Sequence, residues 1–91
     1  MSFLVDYHPL VKDNDLPRIS PDMQKRIQEA IEKRLIVAPQ KYGEPLRRTL
    51  KGYWKLRVGD YRVVFKIRDQ RVTVYCIRHR KEVYDLASKR V

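Results

Sequence analysis

The stretch Tyr53-Trp54-Lys55-Leu56-Arg57-Val58-Gly59-Asp60-Tyr61-Arg62-Val63-Val64-Phe65-Lys66-Ile67-Arg68 decides the fold. Apolar and polar residues alternate on both sides of Gly59-Asp60, the period of a half-buried strand. A Gly-X pair between two such runs predicts a two-residue type II′ hairpin turn, because glycine alone adopts its first central conformation at no cost. The turn sets the register. Val58 faces Tyr61, Arg57 faces Arg62, Leu56 faces Val63, Lys55 faces Val64 and Tyr53 faces Lys66. A second turn near Asp69-Gln70 places Ile67 opposite Val72 and Phe65 opposite Val74.

Opposed residues share a sheet face, so two faces separate. One collects Trp54, Leu56, Val58, Tyr61, Val63, Phe65, Ile67, Val72, Val74 and Cys76, a core surface. The other collects Tyr53, Lys55, Arg57, Arg62, Lys66, Arg68, Arg71, Thr73 and Tyr75. Arginine opposite arginine is unfavourable across a strand pair, and it makes physical sense where a polyanion fills that face. Tyr53 and Tyr75 add planar surfaces on which an unstacked base can lie. The competing reading is an ordinary solvated face whose charges discourage edge pairing.

Upstream, Phe3, Val5 and Tyr7 predict a short strand, and Pro9 opens a short helix through Leu10, Val11 and Leu16. Ser20 then caps a cleaner helix, with Pro21 at its first position and Asp22 near the positive end of its dipole. Met23, Ile27, Ala30, Ile31, Leu35 and Ala38 recur at three- and four-residue spacing up to Pro39. Pro39 to Pro45, with Gly43 between, reads as a loop, and Val83, Leu86 and Ala87 mark a closing helix. The expectation is one α+β domain over residues 1–91. Its small, antiparallel-rich twisted sheet follows β-α-α-β-β-β-α order, with two N-terminal helices packed on one face.

The positive charge is confined. Residues 1–46 carry seven basic and seven acidic side chains, and residues 82–91 carry two of each. Residues 47–81 carry twelve basic residues against Asp60 and Asp69 alone, which is the whole net charge of +10. Such a tract points to an anionic partner, with nucleic acid first among them. The single cysteine, Cys76, excludes an internal disulfide and reads as a small buried hydrophobe. No signal pattern or membrane-length apolar run is present, so a soluble cytoplasmic protein without membrane association is expected. No cysteine, histidine or carboxylate cluster has metal-ligand spacing, so neither metal nor cofactor is expected.

The run Leu50-Lys51-Gly52-Tyr53-Trp54-Lys55-Leu56-Arg57-Val58-Gly59-Asp60-Tyr61-Arg62-Val63-Val64-Phe65, followed by Ile77-Arg78-His79-Arg80-Lys81-Glu82-Val83-Tyr84, resembles the RelE/ParE toxin superfamily. The resemblance covers nearly the whole chain. It implies a RelE-like fold and the toxin of a type II toxin–antitoxin pair. RelE-like members cleave mRNA in the ribosomal A site without a metal, using the 2′-OH as nucleophile and leaving a 2′,3′-cyclic phosphate. By position, Lys55 and Arg62 match the family's phosphate-holding sheet cations, and Tyr84 matches its C-terminal tyrosine, assigned as general base. Arg78, His79 and Arg80 span the place of a general acid or phosphate contact, with His79 and Arg80 the candidates carried forward. Lys51, Tyr53, Arg57, Lys66, Arg78 and Lys81 are the RNA-binding candidates. Tyr53 stands where some relatives have a second sheet lysine, which implies a phosphate clamp that is weaker or differently arranged.

The chemistry is coherent on physical grounds. Attack by the 2′-OH needs a base, in-line geometry and stabilisation of the phosphorane, and clustered cations supply the last of these. Cations also favour a phenolate over a phenol, and an imidazole titrates near neutrality, which suits an acid. The expected partners are mRNA, the ribosome with its rRNA, and an acidic cognate antitoxin. Two alternatives remain from other classes. One is a ParE-like DNA gyrase inhibitor; the other is a nucleic-acid-binding module without catalysis.

Overall fold

A computed structural model describes residues 2–91. The Gly59-Asp60 hairpin forms with the register its turn dictates, Trp54↔Phe65 through Val58↔Tyr61. Gly59 has φ +59° while Asp60 does not enter the left-handed region, the pattern of a type II′ turn. Strand β1 is Leu4–Tyr7, β2 Glu44–Pro45, β3 Trp54–Val58, β4 Tyr61–Arg68 and β5 Arg71–His79, in the sheet order β1-β5-β4-β3-β2. All neighbours are antiparallel except β1, which runs parallel to β5 and pairs only with Arg71–Val74.

Ser20 caps helix α1, Pro21–Ala30, by accepting the Met23 N–H at 3.3 Å. Beyond Ala30 the helix widens into a π-turn, Ile31–Leu35, in which the Ile36 N–H reaches back to the Ile31 carbonyl. Ile27, Ile31 and Leu35 are buried against Leu56, Val58, Val63, Phe65, Val72, Val74 and Ile77. Burying each of these helix side chains contributes about 1.5–3 kcal/mol. A shorter helical segment, Val11–Asp15 followed by Leu16–Arg18, packs beside them.

Two sequence expectations are corrected. The Pro39–Pro45 segment is not simply a loop: Pro39 starts a one-turn helix, α2 (Pro39–Tyr42), and Glu44–Pro45 joins the sheet edge as β2. Gly43 permits this, since a Cβ there would lie 2.6 Å from the Phe65 ring. The second correction concerns the face of Cys76. Uniform alternation along β5 puts it on the α1 side, but a bulge intervenes. Phe65 pairs with Val74, whereas Val64 pairs with Cys76, leaving Tyr75 as the extra residue. From that point the faces exchange. Ile77 enters the main core, and Cys76 turns to the opposite side of the sheet.

On that opposite side lies α3, Val83–Arg90. Leu50, Val64, Cys76, Val83 and Ala87 form a second small core there, with Tyr53 and Tyr84 partly buried against it. The molecule thus has three layers, α1 over one sheet face and α3 over part of the other. Part of the face read from the sequence as a cation surface is therefore covered.

Candidate nucleic-acid interface and catalytic site

The outer edge of β5 is left unpaired beyond Val74, because β1 ends at its pairing with that residue. Asp15 fills that gap. Its fully buried carboxylate accepts the Ile77 N–H at 2.9 Å, Arg78 Nε at 2.7 Å, and both terminal nitrogens of Arg90 at 2.7 and 2.8 Å. Arg90 also donates to the Tyr75 carbonyl at 3.1 Å. This node ties the N-terminal helical layer, the sheet and the last residue of α3 together around one strand edge. Burial alone raises the Asp15 pKa, but the bonds from Arg90, Ile77 and Arg78 together outweigh it and hold the carboxyl below its usual range.

Arg78, an RNA-binding candidate, is consequently a structural residue, 5% exposed and committed to Asp15. Arg62 is also buried, at 7%, and donates to the Gly59 and Tyr61 carbonyls at 3.0 and 2.9 Å. Its guanidinium braces the hairpin turn from within. Arg57, its cross-strand partner, is exposed.

The structure also separates the closing motif. His79 pairs with Tyr61, which belongs to the α1 side, and the two rings meet edge to face at 5.8 Å. Its Nδ1 accepts the Lys81 N–H at 3.2 Å. His79 therefore faces away from Lys55 and Tyr84. Arg80 lies in the exposed turn beyond β5, its Nε 3.9 Å from Asp60. Lys51 and Lys81 are exposed in turns.

Lys55 and Tyr84 do come together. Lys55 occupies the α3 side of β3, Tyr84 projects from the first turn of α3, and the Lys55 Nζ is 5.7 Å from the Tyr84 ring centre. Next to them, Lys66 Nζ stands 5.2 Å from the Tyr53 ring, and Tyr53 meets Tyr75 edge to face at 5.3 Å. Tyr75 in turn lies 5.9 Å from His8. Burial, then the adjacent Tyr75, pushes the Tyr53 phenol up, so it is protonated at neutral pH. A continuous strip of cations and rings therefore runs across the sheet from α3 to the end of β1. Among the described residues, no group of three or more His, Cys, Asp or Glu is placed to hold a metal ion. No helix of the described residues is long and apolar enough to cross a membrane.

A family model, the ParE toxin of type II toxin–antitoxin systems, matches residues 5–84. The chain belongs to the RelE/ParE superfamily of type II toxins. Toxin RelG of Mycobacterium tuberculosis (strain ATCC 25618 / H37Rv) is 35% identical over 72 residues, covering 77% of this chain and 83% of that toxin. Toxin RelE of the same organism is 36% identical over 72 residues, 77% of this chain and 74% of the relative. Among solved structures, a chain of the Mycobacterium tuberculosis RelBE2 toxin–antitoxin complex superposes with a TM-score of 0.81 at 27% identity, covering 87% of this toxin and 99% of that chain. The RelB–RelE complex of Methanococcus jannaschii gives 0.66 at 21% identity, a likeness of fold, over 89% of this toxin and 96% of its own chain.

Sequence reasoning missed Asp15, Arg90 and His8 as organising residues. Asp15 reads locally as a residue that weakens a helix end. Its partners lie 62 to 75 positions downstream, and no local pattern connects them. His8 follows β1 directly, and only the parallel pairing of β1 with β5 carries it to Tyr75.

Proposed function

We propose that this toxin is a metal-independent endoribonuclease that cuts mRNA, with the ribosomal A site as its working context and rRNA as part of its binding surface. The observation that carries the reading is the Lys55–Tyr84 pair, set at the edge of the uncovered, cation-rich part of the sheet. Tyr84 takes the proton from the 2′-OH, the 2′-oxygen attacks phosphorus as the bond to the 5′-oxygen breaks, and the departing 5′-oxygen takes its proton from solvent water, leaving a 2′,3′-cyclic phosphate. Lys55 stabilises the charge that builds on the phosphorane. Exposed Arg57, Lys66, Lys51 and Lys81 hold the flanking backbone. Arg62 acts by stiffening the turn beneath them, and Arg80, near the exposed hairpin end, is the remaining cation for the leaving group. The proposed partner in the cell is an acidic antitoxin, as the RelB-containing complexes of its structural relatives suggest.

The match to the ParE model favours one further reading, inhibition of DNA gyrase. Primer-extension mapping of mRNA ends after induced expression separates the two. New ends that vanish in Tyr84→Phe support the nuclease, whereas DNA damage without new mRNA ends supports the gyrase reading.

A further inference from the structure

We propose that His8, Tyr75 and Tyr53 form a docking subsite for one unpaired RNA base, beside the phosphate that Lys55 and Tyr84 act on. The proposal rests on the ribonuclease reading above and names how its substrate is gripped. Four observations meet here. The three rings are contiguous, with centroids 5.3 and 5.9 Å apart, and all three are half-buried, so they hold their positions yet present surface. Lys66 caps Tyr53 from solvent and exposed Arg68 lies at the same end of the sheet, which matches an anionic backbone, while the neighbouring Arg71 is ion-paired with Asp6. Tyr53 and Lys55 are two residues apart on one extended face, roughly 6.7 Å. That spacing suits a base and its adjoining phosphate.

His8 supplies what the tyrosines lack. Its Nδ1 accepts the Leu10 N–H at 3.1 Å, so in the neutral ring the proton resides on Nε2, a donor free for a base acceptor. The β5 bulge presents Tyr75 here, and the Arg90 bond to its carbonyl steadies that backbone. A ring platform with cations along its border recognises a stacked base with little sequence preference. The single edge donor on His8 biases the choice toward a base that turns an acceptor to Nε2 when it lies on the rings.

The test uses the intact toxin and a short single-stranded RNA bearing 2′-methoxy groups, which binds but cannot be cut. Affinity is measured by fluorescence anisotropy for the complete oligonucleotide and for a set in which each base in turn is removed. Tyr75→Leu is expected to weaken binding of the complete RNA about tenfold. It should have no effect on the oligonucleotide that lacks the docked base. Tyr75→Phe restores the affinity, and His8→Asn, which keeps an acceptor for the Leu10 N–H, narrows the difference between bases. Circular dichroism and thermal melting confirm that each variant is folded. Equal affinity of folded Tyr75→Leu for every oligonucleotide overturns the subsite. Should Tyr75→Leu fail to fold, Tyr53→Leu reads the same platform. Tyr75-dependent binding of an RNA that is never cleaved when its 2′-OH is present overturns the nuclease reading and leaves the subsite standing.

Discussion

Two arginines and two lysines on the same side of one sheet have opposite fates. Arg62 and Arg78, opposite each other on β4 and β5, are 7% and 5% exposed, their guanidinium groups committed to carbonyls and to Asp15. Lys55 on β3 and Lys66 on β4 stand beside tyrosine rings toward the open part of the face. The difference follows from what each cation can satisfy. A planar guanidinium in a strand interior finds several fixed acceptors, whereas an ammonium on a flexible stem keeps its head near water. Net charge thus overstates available charge, because part of the +10 is internal structure.

The contrast breaks most forcefully at Asp15. Asp15→Ala leaves Arg78 and Arg90 buried without their counter-charge, and should cost about 3–5 kcal/mol in urea unfolding. The pH dependence follows the same residue. Its carboxyl is held below the usual value of 3.8, so its stabilisation is complete above that pH and is lost as acid carries the pH down through the depressed folded value. Asp15→Asn should flatten that acid limb, and an unchanged limb in the variant assigns acid unfolding elsewhere.

At the open end the expected loss is in chemistry rather than stability. Lys55→Ala and Tyr84→Phe should each lower the single-turnover cleavage rate by about 10²–10³. Their melting temperatures should stay near that of the wild type. Wild-type cleavage by both variants removes the site from this face altogether.

The covering of α3 has its own probe. Burial pushes the Cys76 thiol up to about 12, under Val83 and Ala87. Alkylation should therefore be slow in the folded toxin and should accelerate only when α3 lifts. Rapid modification in native conditions contradicts the docked helix.

The smallest effect sharpens the comparison most directly. Arg57→Ala should weaken RNA binding uniformly across sequences and lower the salt slope by about one unit. Arg62→Ala should instead lower stability by about 1–3 kcal/mol through its two lost turn bonds. If both variants show only the salt effect, the buried assignment of Arg62 fails.

Much of the architecture was legible in the linear order of residues. The Gly59-Asp60 register, the Ser20 cap and the Ile27–Ile31–Leu35 stripe all rest on neighbours within a few positions, where turn chemistry and periodicity act. The Lys55–Tyr84 pair came from a family resemblance, and the structure does bring these two together. His79 did not join them, because the β5 bulge exchanges the faces and carries it to the α1 side. Cys76 was misplaced for a related reason: one inserted residue reverses every facing beyond it, and nothing in Val74-Tyr75-Cys76 announces the insertion.

By itself, then, the sequence determined that the segments flanking its two tight turns pair and that the charge concentrates in residues 47–81. Only the tertiary structure decided which of those cations remain free, where the face is closed and which histidine joins the tyrosines. The physical reason is range. Strand pairing through a tight turn is a local choice. A buried carboxylate's claim on arginines 63 and 75 residues away exists only once three layers have closed around it.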